Sequence, residues 1–249
     1  MAPQLSGGEF DVLNRVRRET RHWLDGREPV TARDQMRHLV MEQSYDADYV
    51  FDLHCDDDAL VHLYAVPQLE EEMHELACWT GAAATLLAED SGGGSFDEMW
   101  PALWLRLGRE RPDLPVPMPV VSCTMEYRGE YDVFDHINRQ DALNLYAYFQ
   151  SRGLIRGDLV AQKREVHAPT DLRGMEFLRS DQPGLLAFHV QLGDTVKKGD
   201  VIADLVHLDG DQAFRQRSPI RAGTDGIVIA RALYKYTCLL YTSPSPRDA

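Results

Sequence analysis

The sequence contains no apolar run that approaches the ~20 residues needed to cross a bilayer. Its N-terminus also lacks the basic, then apolar, then small-residue pattern of a secretory signal peptide. We therefore expect neither a membrane partner nor export, and we predict a cytoplasmic location.

Positive charge is scarce as well. The chain has 26 Lys and Arg residues against 40 Asp and Glu residues, which gives a net charge of −14 and a pI near 5.0. Because an acidic surface repels nucleic-acid phosphates and anionic lipids, we expect no nucleic acid partner. The hydrophobic content of 44% is that of an ordinary globular protein.

Cysteine is rare and scattered. The four residues are Cys55, Cys78, Cys123 and Cys238, and no Cys-x-x-Cys pair occurs among them. This distribution favours reduced thiols over a disulfide framework. Cys238 also opens a tail, residues 238–249, whose composition departs from the rest of the chain and looks like translated sequencing adapter. We expect this tail to be non-native and the natural C-terminus to be missing.

An apolar run at residues 49–54 ends in Asp52 and His54. The run predicts a buried strand whose carboxyl end presents both side chains at the edge of a sheet, where ligands bind in open α/β proteins. An imidazole beside a carboxylate is a common metal ligand with its supporting group. A core histidine with a backbone partner fits the pattern equally well.

A second strand, predicted at residues 120–126, ends in Glu126 and is followed by a predicted turn at residues 127–130. Helices are predicted between the strands, and this alternation is typical of an α/β domain. The predicted helices begin and end near residues 12–24, 31–45, 69–79, 96–107 and 141–151. The aromatic stripe on the fourth of them is interpreted as packing.

From residue 159 onwards, short strands alternate with turn residues and no helix is predicted. We place a domain boundary near Gly157. The predicted organisation is a partial α/β catalytic domain over residues 1–157, a small all-β domain over residues 158–237 and the non-native tail.

Four motifs in this order resemble the succinylglutamate desuccinylase/aspartoacylase family of zinc hydrolases, relatives of the zinc carboxypeptidases. They are Asp-Leu-His at residues 52–54, Glu-x-Arg-Gly-Glu-x-Asp-Val at residues 126–133, Gly-Asp-Thr-Val-Lys-Lys-Gly-Asp-Val-Ile-Ala at residues 193–203 and Ala-Gly-Thr-Asp-Gly-Ile-Val at residues 222–228. The resemblance implies a zinc-carboxypeptidase-like mixed sheet flanked by helices, incomplete at the N-terminus, followed by a small all-β, barrel-like domain.

The resemblance also implies a function and its residues. The function is that of a zinc-dependent deacylase or amidohydrolase, which cleaves the linear amide bond of a small N-acyl amino acid. His54 matches the last of three Zn²⁺ ligands, with Asp52 as its support, and Glu126 matches the general base. Asn14 and Arg15 match a pair that grips the carboxylate of an anionic substrate.

Arg128, two residues after the base, fits a role in holding the substrate, but an ion pair with Glu130 or Asp132 fits equally well.

The two other zinc ligands of the family form a His-x-x-Glu motif upstream of the Asn-Arg pair, and no His-x-x-Glu occurs in this sequence. We therefore expect Met1 to be internal to a longer protein. The 249-residue chain is expected to be inactive while its parent gene encodes the hydrolase.

Other interpretations remain open. The parent protein could be a non-catalytic binder of small molecules or partners that keeps the fold without the metal. His62, on a strand predicted at residues 61–66, fits either a supporting role at the site or simple packing. Cys55 has no evident base, which disfavours a nucleophilic role. The run at residues 56–58 could attract a hard cation or form an exposed acidic loop.

Overall fold

The computed structural model describes residues 5–92, 94–211 and 213–237. The adapter-like tail predicted at residues 238–249, including Cys238, lies outside the described residues. Within them, none of the helices combines the length and the apolar composition that a bilayer crossing requires.

Five α-helices and thirteen β-strands make up the described chain. The helices are α1 (Gly7–Asp25), α2 (Ala32–Ser44), α3 (Glu70–Thr80), α4 (Phe96–Glu110) and α5 (Asp135–Ser151). The strands are β1 (Tyr49–Asp56), β2 (Asp58–Ala59), β3 (His62–Ala65), β4 (Ala84–Leu87), β5 (Val121–Gly129), β6 (Thr170–Asp171), β7 (Gly184–Phe188), β8 (Thr195–Val196), β9 (Val201–Val206), β10 (Arg217–Arg221), β11 (Gly226–Ile227), β12 (Ala230–Arg231) and β13 (Tyr236–Thr237).

A five-stranded mixed sheet in the order β1-β5-β3-β4-β6 forms the centre of the fold. The strand pairs β1–β5, β3–β4 and β4–β6 are parallel, while β3 runs antiparallel to β5. Helices cover both faces of this sheet, as the predicted α/β class requires. The inner strands β3, β4 and β5 are rich in apolar residues, which suits strands whose side chains are largely buried.

The face toward α3 and α5 carries the larger core. Leu63, Met73, Leu76 and Met125 have no exposed surface, and Tyr148 fills the space between strands and helix. Fully burying such a side chain is worth about 1.5–3 kcal/mol. The cluster therefore fixes the position of β3 and β5, on which two of the site residues lie.

A smaller core covers the opposite face at the start of β1. Trp100 and Trp104 of α4 pack there with Leu13 of α1 and Val50 of β1, and the Trp100 indole donates a hydrogen bond to Ser44. The aromatic stripe of α4 is therefore packing, as its helical spacing predicts. Because this core occupies only the beginning of β1, the last residues of the strand stay accessible.

Three elements extend beyond the bounds that the sequence patterns predict. Helix α1 begins at Gly7 because Ser6 and Glu9 form a capping box, although Gly7 and Gly8 alone suggest a turn. Helix α5 begins at Asp135, six residues early, in a first turn without apolar periodicity. The turn predicted at residues 127–130 is wrong because β5 continues to Gly129, which pairs with Asp56 after an extra residue in β5 shifts the register.

The β-rich part of the chain packs against the first sheet. Strands β10, β9, β7 and β13 form a four-stranded sheet, and β8 pairs with β11. Strand β12 pairs with β2, and Arg231 contacts Asp58 at 2.9 Å. Strand β6 joins the five-stranded sheet although it lies thirteen residues after the boundary predicted near Gly157.

Gly129 is required where β5 passes the loop after β1. A Cβ atom there would lie 2.7 Å from the backbone oxygen of Asp57 and 2.9 Å from the Cα atom of Asp58. We expect Gly129→Ala to lower the free energy of unfolding by about 1–3 kcal/mol because backbone would have to move. Urea denaturation measures it, with Gly174→Ala as control, since a Cβ at Gly174 meets nothing within 4 Å. Equal effects of the two substitutions would contradict the prediction.

Candidate functional site

Three site residues form a row across neighbouring strands. His54 of β1 lies in register with Glu126 of β5, and Glu126 lies in register with His62 of β3. Residues directly opposite each other on paired strands project from the same face of a sheet. The parallel pairing of β1 and β5 brings His54 and Glu126, each predicted at the end of its strand, side by side on the sheet.

His54 is held by the carboxylate two residues before it. Its Nε2 atom lies 3.0 Å from Oδ1 of Asp52, which is on the same face of β1 because side chains alternate along a strand. A carboxylate accepts hydrogen bonds, so this contact favours the proton on Nε2 and leaves the lone pair on Nδ1. The side chain of His54 is 43% exposed, so a ligand from solvent can reach the ring.

Glu126 is buried, with only 2% of its surface exposed. Burial and, to a smaller extent, the negative charges of Asp56 and Asp52 raise the pKa of its carboxyl group to about 7, while His54 acts in the opposite direction. Its Oε2 atom has no hydrogen-bond partner among the described residues. A carboxyl group of this kind exchanges a proton readily near neutral pH, which is what a general base requires.

The raised pKa of Glu126 predicts a pH-dependent gain in stability from Glu126→Gln. The folded chain retains the carboxyl proton up to about pH 7, whereas the unfolded chain releases it near 4.5. The stabilising effect of the protonated form is therefore complete below pH 4.5 and is lost as the pH rises through 7. At pH 8 we expect the metal-free variant to unfold with a free energy about 1–3 kcal/mol higher than the wild type.

Urea denaturation at pH 5 and pH 8 checks this expectation. The matched control is Glu130→Gln, which removes the charge of an exposed glutamate four residues along the chain. A gain from Glu126→Gln that is the same at both pH values would show that the native carboxylate is not destabilised by its surroundings.

A second buried carboxylate lies close to this row. Asp97, in the first turn of α4, is 4% exposed, and burial raises the pKa of its carboxyl group. The charges of Glu98 and Asp52 also raise this pKa, while hydrogen bonds from Ser95 and Thr124 lower it. The face that carries His54 therefore gathers the carboxyl groups of Asp52, Asp97 and Glu126, an arrangement that favours a bound cation.

Arg128 pairs with a residue that the sequence patterns did not indicate. Its guanidinium group contacts Asp141 of α5 through Nη2 at 2.9 Å and Nε at 3.2 Å, instead of Glu130 or Asp132. Thirteen residues separate the two partners, so only the packing of α5 against the end of β5 brings them together. Arg128 also has a φ of 64°, a left-handed conformation that non-glycine residues rarely adopt.

Asn14 and Arg15 lie in the middle of α1, and both are exposed. Their neighbour Leu13 packs against Val50, which is in the second position of β1. A strand rises about 3.3 Å per residue, so Val50 and His54 are about 13 Å apart. The structure therefore places the two predicted substrate-binding residues near the opposite end of β1 from His54.

The acidic run at residues 56–58 is largely engaged in structural contacts. Asp56 belongs to β1 and Asp58 to β2, and Asp58 binds Arg231 and lies 3.7 Å from Lys235. Cys55 is exposed, and the pKa of its thiol is raised by partial burial and by the charges of Glu126 and Glu130. A raised thiol pKa disfavours the thiolate, which agrees with the absence of an evident base in the sequence.

The described residues supply one ligand of a zinc site but not a complete set of ligands. The Asp52–His54 contact is the carboxylate–histidine arrangement that supports a metal-binding imidazole, with Nδ1 as the donor atom. Within the described residues, however, no three His, Cys, Asp or Glu side chains converge closely enough to hold a metal ion. A zinc ion at His54 would therefore need ligands from outside the described residues.

His62 is the site residue that the sequence left undecided. It is fully buried and lies opposite Glu126. Only the antiparallel register of β3 against β5 reveals this position, because eight residues separate it from His54. Nothing in the sequence indicated that Asp97 belongs to the site. A carboxylate in the first turn of a helix is normally explained by its favourable interaction with the helix dipole.

No protein-family model and none of the curated proteins matches the sequence. Solved structures do match the fold. A succinylglutamate desuccinylase/aspartoacylase family protein from Shewanella amazonensis has a TM-score of 0.79 at 21% identity, over 92% of this chain and 63% of its own. A corresponding protein from Shewanella frigidimarina gives 0.77 at 17% identity, over 94% and 63%.

The apo structure of the ectoine utilization protein EutE from Ruegeria pomeroyi is also similar, with a TM-score of 0.62 at 18% identity over 86% of this chain and 64% of EutE. This chain therefore has the fold of the succinylglutamate desuccinylase/aspartoacylase structures, as the sequence motifs imply. It spans less than two thirds of the length of each of these three proteins.

Proposed function

We propose that this chain contributes the general base and one metal ligand of a zinc-dependent hydrolase that cleaves the amide bond of a small N-acyl amino acid. The observation that carries the proposal is the placement of Glu126, buried and in register beside the Asp52–His54 pair at one edge of the sheet. The family to which the similar structures belong provides the chemical class.

In this proposal Glu126 takes a proton from the attacking water and returns it to the leaving amine. Its pKa of about 7 suits both steps, because a base that titrates near the working pH accepts and releases the proton with little cost. Only 2% of the surface of Glu126 is exposed, which keeps bulk water from competing for the proton.

His54 would hold the zinc ion through Nδ1, with Asp52 fixing the orientation of the ring. When bound, zinc lowers the pKa of water and polarises a carbonyl group, which is the chemistry that amide cleavage needs. The proposal requires further ligands from outside the described residues. We accordingly expect the 249-residue chain alone to be inactive.

The substrate is proposed to be anionic. Arg128 lies at the edge of the sheet that carries the base, and a guanidinium group can bind a carboxylate through two parallel hydrogen bonds. Its present contact with Asp141 would have to be shared with the substrate. Asn14 and Arg15 are predicted to have the same role. The structure gives this prediction no support, since α1 holds both residues away from His54.

The strands of residues 184–237 are proposed to form a small barrel-like domain beside the mouth of the site. The pairing of β12 with β2, directly after β1, supports this arrangement. The Leu60 amide also donates a hydrogen bond to the Ile229 carbonyl at 2.9 Å. A domain in this position would restrict which acyl groups reach Glu126, although these contacts do not identify the acyl group.

The test is an amine-release assay on the product of the complete reading frame that contains this chain. N-acyl amino acids are compared with the matching N-acyl amines that lack the carboxylate. We expect hydrolysis of at least one N-acyl amino acid and a much lower kcat/KM for its decarboxylated partner. A folded, zinc-bound protein that hydrolyses neither series would refute the enzyme and favour a binding protein with the same fold.

A further inference from the structure

His62 is the most completely buried of the polar residues in the row, with no exposed surface. It lies on β3, directly opposite Glu126 on β5, so its ring and the Glu126 carboxyl group project from the same face of neighbouring strands. The ring is further held by an edge-on contact with Tyr64, at 5.3 Å between ring centroids. Its position relative to Glu126 is therefore fixed by the sheet.

The hydrogen bond on the other side of the ring decides which nitrogen faces the site. Nδ1 of His62 lies 2.8 Å from the carbonyl oxygen of Leu60. A carbonyl oxygen only accepts, so Nδ1 carries the proton and donates it. Burial lowers the pKa of the ring, although the Leu60 contact and the Asp56 charge act in the opposite direction, and this favours the neutral form with Nε2 as a hydrogen-bond acceptor.

Two buried polar atoms in this row lack a hydrogen-bond partner within the described part of the chain. Neither Nε2 of His62 nor Oε2 of Glu126 has a hydrogen-bond partner among the described residues. Oδ2 of Asp56 lies 3.8 Å from Nε2, which is beyond hydrogen-bond distance. A carboxylate oxygen is also an acceptor, so it could not supply the missing donor. A buried polar atom without a hydrogen-bond partner lowers the stability of the folded protein. Since these two atoms belong to facing residues, a single group between them could satisfy both.

We propose that His62 is a positioning residue, which fixes the Glu126 carboxyl group through one water molecule that donates to Nε2 of His62 and to Oε2 of Glu126. A water molecule has two donor hydrogens and suits a polar site with acceptors on either side. This inference rests on the proposed function, because it assigns His62 the task of aiming the base. The hydrogen bond from Nδ1 of His62 to Leu60 contributes only to the stability of the fold.

Two substitutions separate these two parts of the ring. In His62→Gln the longer side chain places an amide near the position of Nε2 and loses the donor to Leu60. In His62→Asn the shorter side chain places its amide near the position of Nδ1 and loses the acceptor that faces Glu126. The pair is matched in chemistry and differs in which contact it keeps.

We expect His62→Gln to keep kcat within about threefold of the wild type. We expect His62→Asn to lose about 10–100-fold in kcat with little change in KM, since a misplaced catalytic group slows the reaction without weakening binding. The reverse order, with His62→Asn active and His62→Gln impaired, would show that the ring serves only the fold and would overturn the proposal.

A nuclear magnetic resonance measurement tests the same contact without activity. With ¹⁵N-labelled histidine, the Nε2 resonance of His62 is expected to shift in Glu126→Ala and to stay in place in Glu130→Ala, which changes an exposed glutamate. An Nε2 resonance indifferent to Glu126→Ala would overturn the proposal. A response to Glu126→Ala in a protein without hydrolase activity would support the contact and refute the proposed function instead.

Discussion

Glu126→Gln is expected to lower kcat for amide hydrolysis by about 10²–10⁴-fold, the range that a general base contributes, with KM nearly unchanged. The amide has almost the size and shape of the carboxyl group, so the packing around β5 is retained. What it loses is the ability to accept the proton of the attacking water. Because this proton transfer belongs to the transition state, the loss falls on kcat.

The control for this prediction is Glu130→Gln, which removes the same charge from an exposed position on the same segment. We expect it to change kcat by less than about twofold, since an exposed charge is screened by solvent. A Glu126→Gln protein that keeps wild-type kcat while remaining folded would show that another group is the base.

His54→Ala is expected to abolish stoichiometric zinc binding by the complete gene product, together with its hydrolase activity. In the proposed site His54 is the one zinc ligand that this chain supplies, with Asp52 orienting its ring. Loss of one of three protein ligands typically weakens a zinc site severely. Metal analysis after gel filtration measures the effect directly.

The chain offers a close control for His54. His189 is a partly exposed histidine in the β-rich region, and its Nε2 atom contacts Oδ2 of Asp204 at 3.1 Å, much as His54 contacts Asp52. We expect His189→Ala to leave the zinc content unchanged. Equal zinc in the His54→Ala protein and the wild type would show that His54 is not a ligand.

The parts of the site that lie on regular strands could be predicted from the sequence. Apolar runs that end in His54 and in Glu126 indicated two strands, each with a polar side chain at its carboxyl end. That the two strands are neighbours, parallel and in register at these residues is known only from the structure. A strand with period two leaves little freedom for which face a side chain takes.

Contacts made by tertiary packing could not be predicted in the same way. Arg128 pairs with Asp141 because α5 packs against the end of β5, and the sequence instead offered the nearer Glu130 and Asp132. Met36 and Leu39 of α2 share a helical face that indicates a core position, yet they are 64% and 53% exposed. Periodicity identifies the helix correctly but not the element that covers it.

The depth of burial at the site was also beyond the sequence. Nothing in the residues around Glu126 shows that it is 2% exposed, or that His62 stands opposite it. Both facts depend on the central place of β5 and β3 in the five-stranded sheet. Burial raises the pKa of Glu126 toward neutrality and leaves His62 as an acceptor, so it decides what these two residues can do.

Zinc removal and return tests the central claim most directly. The product of the complete reading frame is dialysed against a chelator, assayed for amine release from its best N-acyl amino acid, and assayed again after one equivalent of zinc is added. The account predicts that activity falls to background and returns with zinc, and that the His54→Ala protein stays inactive throughout. Hydrolysis that persists after complete removal of the metal would contradict it.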